Sequence, residues 1–481
     1  MKRTVKKLFW SVGIGACLAG CRTTQQVLRD YEAHLTTGDY EASLQEFADL
    51  AAKGDGSELM WRLMSAHSLY MLDRREAAIQ EFDRAERVMQ NQDAASVFSQ
   101  SSGTGLAMMT NDKAFNYDGG GLDRIFTCLY RGIDFLVLGR SEDARVEFNR
   151  AAQYQDNWFY DRRRDIDAAA ERLSSEATAY QQKNNTKPVD HSATVSGALA
   201  NGDFAATIRN NTGYDPSSSG NLAGLKKLDY YNAYVSHVTG IFRWLDGNDG
   251  RDALRATVSV RPKSPGLARD LADSERGKPV NQVWIWVEDG LCPAREEWRV
   301  DLPLVLMPFV GRYLPYAGMA LPKLRERAYG ATMWKVSANG GQVQMGELEN
   351  VDHLVRTEYD VYMRGALTRE ITRCIVKAGV QVALGVTADN VSDRNTQLAL
   401  KLSQIAAAWA ASTTAADVRS WTSLPKRVLA MRLDRPADGH IVVWADGQQI
   451  ALDVAEGNTM VFIRKPGPQA MPVIKSVTFR R

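Results

Sequence analysis

The chain has 481 residues, long enough for two or three domains that each bury a substantial core. Hydrophobic residues make up 44% and charged residues 24%, which is the balance of an ordinary globular protein and not of a disordered one. The formal charge of +2 becomes −2 once Lys2, Arg3, Lys6 and Lys7 are set aside, 55 basic against 57 acidic side chains, and that near-balance excludes the basic surface a nucleic-acid partner needs.

Those four cations precede an apolar run, Leu8 to Ala19, too short to span a bilayer as a helix. The layout is that of a secretory signal peptide. It closes on Leu18-Ala19-Gly20-Cys21, which resembles the lipobox of bacterial lipoproteins. The resemblance implies a diacylglyceryl group on the Cys21 thiol, cleavage before it, and palmitate on a triacylated amino terminus. Each fatty chain contributes roughly 0.8 kcal/mol per buried methylene, so several chains anchor stably where one does not. Arg22, in the place where enterobacterial sorting reads aspartate as an inner-membrane signal, points to the outer membrane, with the body facing the periplasm or, alternatively, displayed at the envelope surface. An ordinary export signal cut elsewhere is the competing reading. With Cys17 and Cys21 accounted for, Cys128, Cys292 and Cys374 remain, without CxxC spacing. They allow at most one disulfide, or three buried thiols, and no zinc site.

From Thr24 to about Ala177 the pattern is helical. One helix is expected to open at Gly38-Asp39-Tyr40-Glu41-Ala42, and turns are expected at Leu72 to Ala78 and at Leu138 to Ala144. After the two turns come Ala78, Phe82, Ala85 and Ala144, Phe148, Ala151, each trio small-large-small on one helix face. With Gly132 and Phe135 before the second turn, these look like tetratricopeptide helices, and Ala78 and Ala144 lie about two repeats of about 34 residues apart. A generic helical bundle is the plainer alternative. Asn91 to Gly121, rich in Ser, Gly, Asn and Met, reads as a loop or degenerate repeat, and Trp158 to Glu171 as a charged helix. Gln181 to Gly224 reads as a polar linker with one short helix around Asn201 to Asn210, and Asp229 to Arg255 as a further hairpin turning at Asp246 to Gly250.

The character changes after Arg261-Pro262-Lys263-Ser264-Pro265-Gly266. Strands are predicted at Val283 to Val287 and Trp298 to Leu302, followed by a pair around Asn339-Gly340-Gly341. Breakers at Pro308, Gly311, Pro315 and Gly318 rule out a membrane span over Val305 to Leu321. Tyr359 to Ile405 and then Leu398 to Trp409 read as helix. Strands return at Val428 to Leu433, His440 to Trp444, Gln449 to Val454, Met460 to Ile463 and Val473 to Phe479, with Asp446-Gly447 marking a hairpin. The order predicts a mixed α+β domain in which early and late strands share a sheet.

On these segments, with Cys128 to Ala152, Glu288 to Glu297, Ala320-Leu321-Pro322-Lys323 and Arg419 to Pro425, the chain resembles an uncharacterised family of bacterial lipoproteins. In that family tetratricopeptide-like helices precede a carboxy-terminal mixed α/β domain. The resemblance implies an envelope role near cell-wall assembly and assigns no active site.

Catalytic constellations are scarce. No HExxH, GxSxG elbow or phosphate loop occurs: Gly119-Gly120-Gly121 lacks the Lys-Ser/Thr that should follow. His34, His67, His191, His237, His353 and His440 are scattered, and Ser423-Leu424-Pro425-Lys426 matches SxxK without a downstream KTG. Glu288, Asp289, Glu296 and Glu297 flank a turn, and paired carboxylates can cleave glycosides. Trp284 and Trp286 share a strand face and read as core more simply than as a groove wall.

The resulting expectation is α+β, with a signal peptide over 1–20, tetratricopeptide-like helices over 21–180, a linker over 181–225, a helical hairpin over 226–262 and an α+β domain over 263–481. The function expected is a lipid-anchored adapter that needs no cofactor or metal. It would bind an envelope protein or peptide through first-helix side chains such as Trp61, Phe126 and Tyr130. A cell-wall hydrolase using carboxylates between Glu288 and Glu297 is the alternative, and assembly of a secreted surface complex a third reading.

Overall fold

The computed structural model describes residues 23–98, 116–158, 191–217, 230–301, 318–390, 393 and 415–480, and within them the chain is mixed α+β, helices first and sheets toward the carboxy terminus. Helix α1 (Thr24–Thr37) starts from a capping box between Thr23 and Gln26 and stops at Gly38. Next come α2 (Leu44–Ala51), α3 (Glu58–Met71), α4 (Arg75–Phe98), α5 (Gly121–Val137) and α6 (141–158). The turns expected after Leu72 and Leu138 fall between α3 and α4 and between α5 and α6. Both small-large-small trios are fully buried. A Cβ on Gly132 of α5 would come within 2.7 Å of the Phe148 ring on α6, so these two helices approach as closely as glycine allows.

Helix α4 runs on to Phe98, so the stretch expected to be loop from Asn91 opens as helix. Residues 99–115 and 159–190, which carry the rest of that stretch and most of the charged helix from Trp158, lie outside the described residues. The linker needs correction. It holds two helices, α7 (His191–Ala200) and α8 (Gly202–Thr212), separated by Asn201, whose side chain caps the Phe204 amide at 2.9 Å. Val195, Ala198, Phe204 and Ile208 give them a narrow apolar stripe that the polar composition hid. Beyond lie α9 (Ala233–Leu245) and α10 (Arg251–Val260), turning where expected. Then comes α11 (Pro265–Ser274), which the sequence reading took for a break: its proline is the first helical residue, where no N–H is missed.

The strands are β1 (Gln282–Asp289), β2 (Ala294–Asp301), β3 (Gly318–Arg325), β4 (Trp334–Ala338), β5 (Gly341–Gln344) and β6 (Gly346–Asn350). The long helix α12 (Val351–Asn390) separates them from β7 (Arg427–Asp434), β8 (His440–Ala445), β9 (Gln448–Asp453), β10 (Asn458–Lys465) and β11 (Val473–Phe479). One sheet runs β11-β10-β1-β7-β6, with β1 parallel to β10 and antiparallel to β7, so early and late strands do share a sheet. A second, antiparallel, runs β5-β4-β8-β9, and β2 pairs with β3. Strand β1 shows how the layers stack. Val283, Ile285 and Val287 face the four-stranded sheet, while Trp284 and Trp286 face the helices. One buried cluster joins α1 through α6, α9 and α10 to the helix-facing side of the five-stranded sheet. No helix among the described residues is long and apolar enough to cross a membrane.

Candidate functional site

Several segments singled out in the sequence meet where the helices cover β1 and β10. Strand β1 ends in Glu288 and Asp289, and Gly290 turns the chain with φ of +68°, a conformation that strains any side chain. A Cβ there would also lie 2.8 Å from the Ala328 carbonyl. Successive strand residues point to opposite faces. Glu288 therefore enters the helix layer, where it accepts hydrogen bonds from Tyr130 at 2.9 Å and Tyr234 at 2.8 Å, with Arg464 Nε 3.5 Å away. Burial pushes its carboxyl up, Arg464 and the two hydroxyls pull it down, and burial wins. Asp289 turns the other way and accepts from the Ala331 amide at 2.8 Å and Arg427 Nε at 2.9 Å.

Two arginines brace the neighbouring loops through backbone carbonyls. Arg464 donates to Glu288 at 3.1 Å, Gly290 at 2.7 Å and Ser423 at 3.0 Å, and Arg327 donates to Cys292 at 2.5 Å and to Thr422. The Cys292 amide donates to the Leu424 carbonyl, and that of Lys426 to the Asp289 carbonyl, both at 3.0 Å. The turn after β1 and the loop over Trp421–Lys426 thus form one interlocked piece. Trp421 donates to Ser423 Oγ at 2.7 Å and sets its ring against His67, Phe82 and Tyr130. His67 is fully buried, and neither ring nitrogen has a hydrogen-bond partner among the described residues. Burial first, then Arg464 and Lys475, hold its pKa well below the ordinary 6.5. Lys475 pairs with Asp134 and lies 3.9 Å from the Tyr70 ring centre.

The rim of this junction is a set of ion pairs. Arg325 of β3 pairs with Glu32 of α1 and, at 2.7 Å, with Glu296 of β2, which also takes Arg29 at 3.2 Å. The groove between them, floored by Leu28 and Thr422, holds about 10 Å³ of free space, room for one water.

The three side chains expected to line a partner groove are buried. Trp61, Phe126 and Tyr130 are 2%, 0% and 0% exposed. The face of the helical array that was expected to receive a partner receives the chain's own sheet, and Tyr130 bonds Glu288 directly. The carboxylate site also fails on geometry. Glu288 and Asp289 are buried on opposite faces, while Glu296 and Glu297 are engaged by Arg325 and Arg299, so no two of the four face one accessible cleft. Trp284 and Trp286 are core, their indole N–H groups donating to Asp270 and to His237 Nδ1. Since Nδ1 of His237 accepts, its proton sits on Nε2, which donates to Asp270 at 2.9 Å. Ser423 and Lys426 answer to different partners, Trp421 and Asp352, so the SxxK match is not a catalytic pair. Cys128, Cys292 and Cys374 are buried free thiols, and among the described residues no group of His, Cys, Asp and Glu could hold a metal ion. Sequence reasoning missed Arg464, Arg327 and Lys475, whose buried cations look like ordinary strand and loop charges in the sequence. No protein-family model, curated protein or solved structure matches the chain significantly.

Proposed function

We propose that the protein is a lipid-anchored scaffold of the bacterial outer membrane. It faces the periplasm and acts by binding an envelope protein or peptide, with tetratricopeptide-like helices forming half of a rigid body. The observation that carries this reading is the clasp between α1 and the β2–β3 hairpin. Glu32–Arg325 and Arg29–Glu296 fix α1 to the sheet half, and only Arg22 and Thr23 separate α1 from Cys21. An acylated Cys21 would therefore hold the whole body close to the bilayer, confined to the membrane plane where effective concentration is high. The engagement of each of the junction's carboxylates by its own donors supports binding over bond cleavage. The paired helices α3–α4 and α5–α6, with glycine and alanine at their crossings, support the repeat-like reading.

Labelling cells with radioactive palmitate and fractionating their membranes tests the anchor. The wild type takes up label and sediments with outer membrane, whereas Cys21→Ser takes up none and becomes soluble. Label in the variant, or an unlabelled wild type, overturns the reading. Cross-linking before detergent extraction tests the partner, which is expected to co-purify with the full chain at a defined stoichiometry.

A further inference from the structure

With the inner face of the helical array filled by the sheet, the outer side of the four-stranded sheet is a flat surface that no other strand covers among the described residues. Its inner side carries Val336, Val443, Ile450 and Leu452 into the core, so the alternate residues face solvent. Register places Gln344, Lys335, Trp444 and Gln449 in one row across the four strands, and Gln342, Ser337, Val442 and Ala451 in the next. The row spans three strand spacings, about 14 Å. Trp444 is pinned. Its Nε1 donates to Ser337 Oγ at 3.0 Å, diagonally into the second row, so the indole lies along the sheet instead of standing off it. That bond uses the ring's one donor, and the half-buried indole is bordered in register by the short side chains of Val442 and Ala451. The Lys335 ammonium has no ion-pair partner among the described residues, whereas the other charged pair on this face, His440 and Asp453, is bonded to itself.

We propose that this face binds an acidic glycan strand. A pyranose ring sets its C–H face on the Trp444 indole, hydroxyl or N-acyl groups bond the amides of Gln344 and Gln449, and a sugar carboxylate meets Lys335. A protein partner would call for more than one apolar anchor in the row, and a neutral sugar would leave Lys335, unpaired among the described residues, unanswered. The site owes nothing to the Cys21 anchor, so its failure and that of the scaffold reading are separable.

Isothermal titration of the full chain in detergent decides it, with peptide-free peptidoglycan glycan strands as the acidic probe and chitooligosaccharide as the neutral one. Wild type binds the acidic strands saturably. Trp444→Ala weakens that binding at least tenfold, and Ser337→Ala, which unpins the indole, weakens it severalfold. Lys335→Gln weakens the acidic strands severalfold and leaves the neutral oligosaccharide unchanged. Circular dichroism and the melting temperature confirm that each variant is folded. Absence of saturable binding by wild type overturns the proposal, as does Trp444→Ala binding like wild type. Equal binding of both probes, unmoved by Lys335→Gln, overturns it too, and so does binding that requires the stem peptides.

Discussion

Glu288 and His67 lie in the same buried cluster and answer mutation in opposite senses. Glu288→Ala leaves the hydroxyls of Tyr130 and Tyr234 without their acceptor and the buried Arg464 cation without its carboxylate. Breaking a buried pair from one side costs about 3–5 kcal/mol. The urea midpoint is therefore expected to fall sharply with an unchanged slope. His67→Phe keeps the ring packing against Tyr70, Tyr130 and Trp421 and deletes two nitrogens that have no partner among the described residues. That substitution is expected to stabilise by about 1 kcal/mol, since a buried polar atom without a bond carries its desolvation cost for nothing. It also acts on pH. Below 6.5 the unfolded chain protonates His67 while the native chain does not, so the wild type loses stability as pH falls and the phenylalanine variant loses less. None of this was legible at the residue scale. Glu288 looked like half of an acidic pair beside a turn, because the hydroxyls that bury it come from 158 and 54 positions away.

Local signals were the ones the sequence wrote clearly. Asp446-Gly447 marks its hairpin because both residues need positive φ, +48° and +93°, which Asp tolerates and Gly prefers. The α3–α4 and α5–α6 pairs were visible because alanine and glycine recur at helical spacing. Strand β6 was not visible: of Gly346 to Asn350 only Leu348 and Glu349 are buried. The strand exists because β7, far along the chain, supplies its ladder across a bulge. The early start of α12 at Val351 was hidden too, since Asp352 and Thr357 are polar yet buried. Helices α5 and α6 cross at Gly132 and Phe148. A side chain on Gly132 meets Phe148 at 2.7 Å, nearer than carbon atoms pack. Gly132→Val is expected to cost about 2 kcal/mol, the price of overpacking, with Phe148→Leu in the same chain recovering part of it. Thermal unfolding of the two single variants and the double checks this. Additive losses would mean that the helices do not meet there.

At the scale of the whole molecule, several contacts between elements are built on carboxyl groups that burial has made reluctant to ionise. Asp134 of α5, paired with Lys475 of β11, is pushed up to about 6, and so is Asp352 of α12, paired with Lys426. Glu349 of β6, which accepts from the Ala233 amide of α9 and faces Arg261, is pushed up to about 7. Asp123 of α5 reaches about 7, through burial and then the Glu358 charge. In the unfolded chain all four lose their protons near pH 4. Between pH 4 and 7 the native chain therefore holds protons that the unfolded chain has released, so these groups make stability fall as pH rises. His67 pulls the other way only below 6.5, one group against four. The urea midpoint is accordingly expected to be higher at pH 5 than at pH 8. Asp123→Asn, whose amide stays neutral throughout, should narrow that gap, and an unchanged gap would remove Asp123 from the account. The same distribution explains why the helix–sheet junction escaped sequence reading. A docking face was anticipated from helical periodicity alone, but the apolar stripe that periodicity reveals is silent about whether a stranger or the chain's own later strands will cover it. Here Trp284, Trp286 and Phe462 cover it, and the carboxyls that join them had to follow into the core.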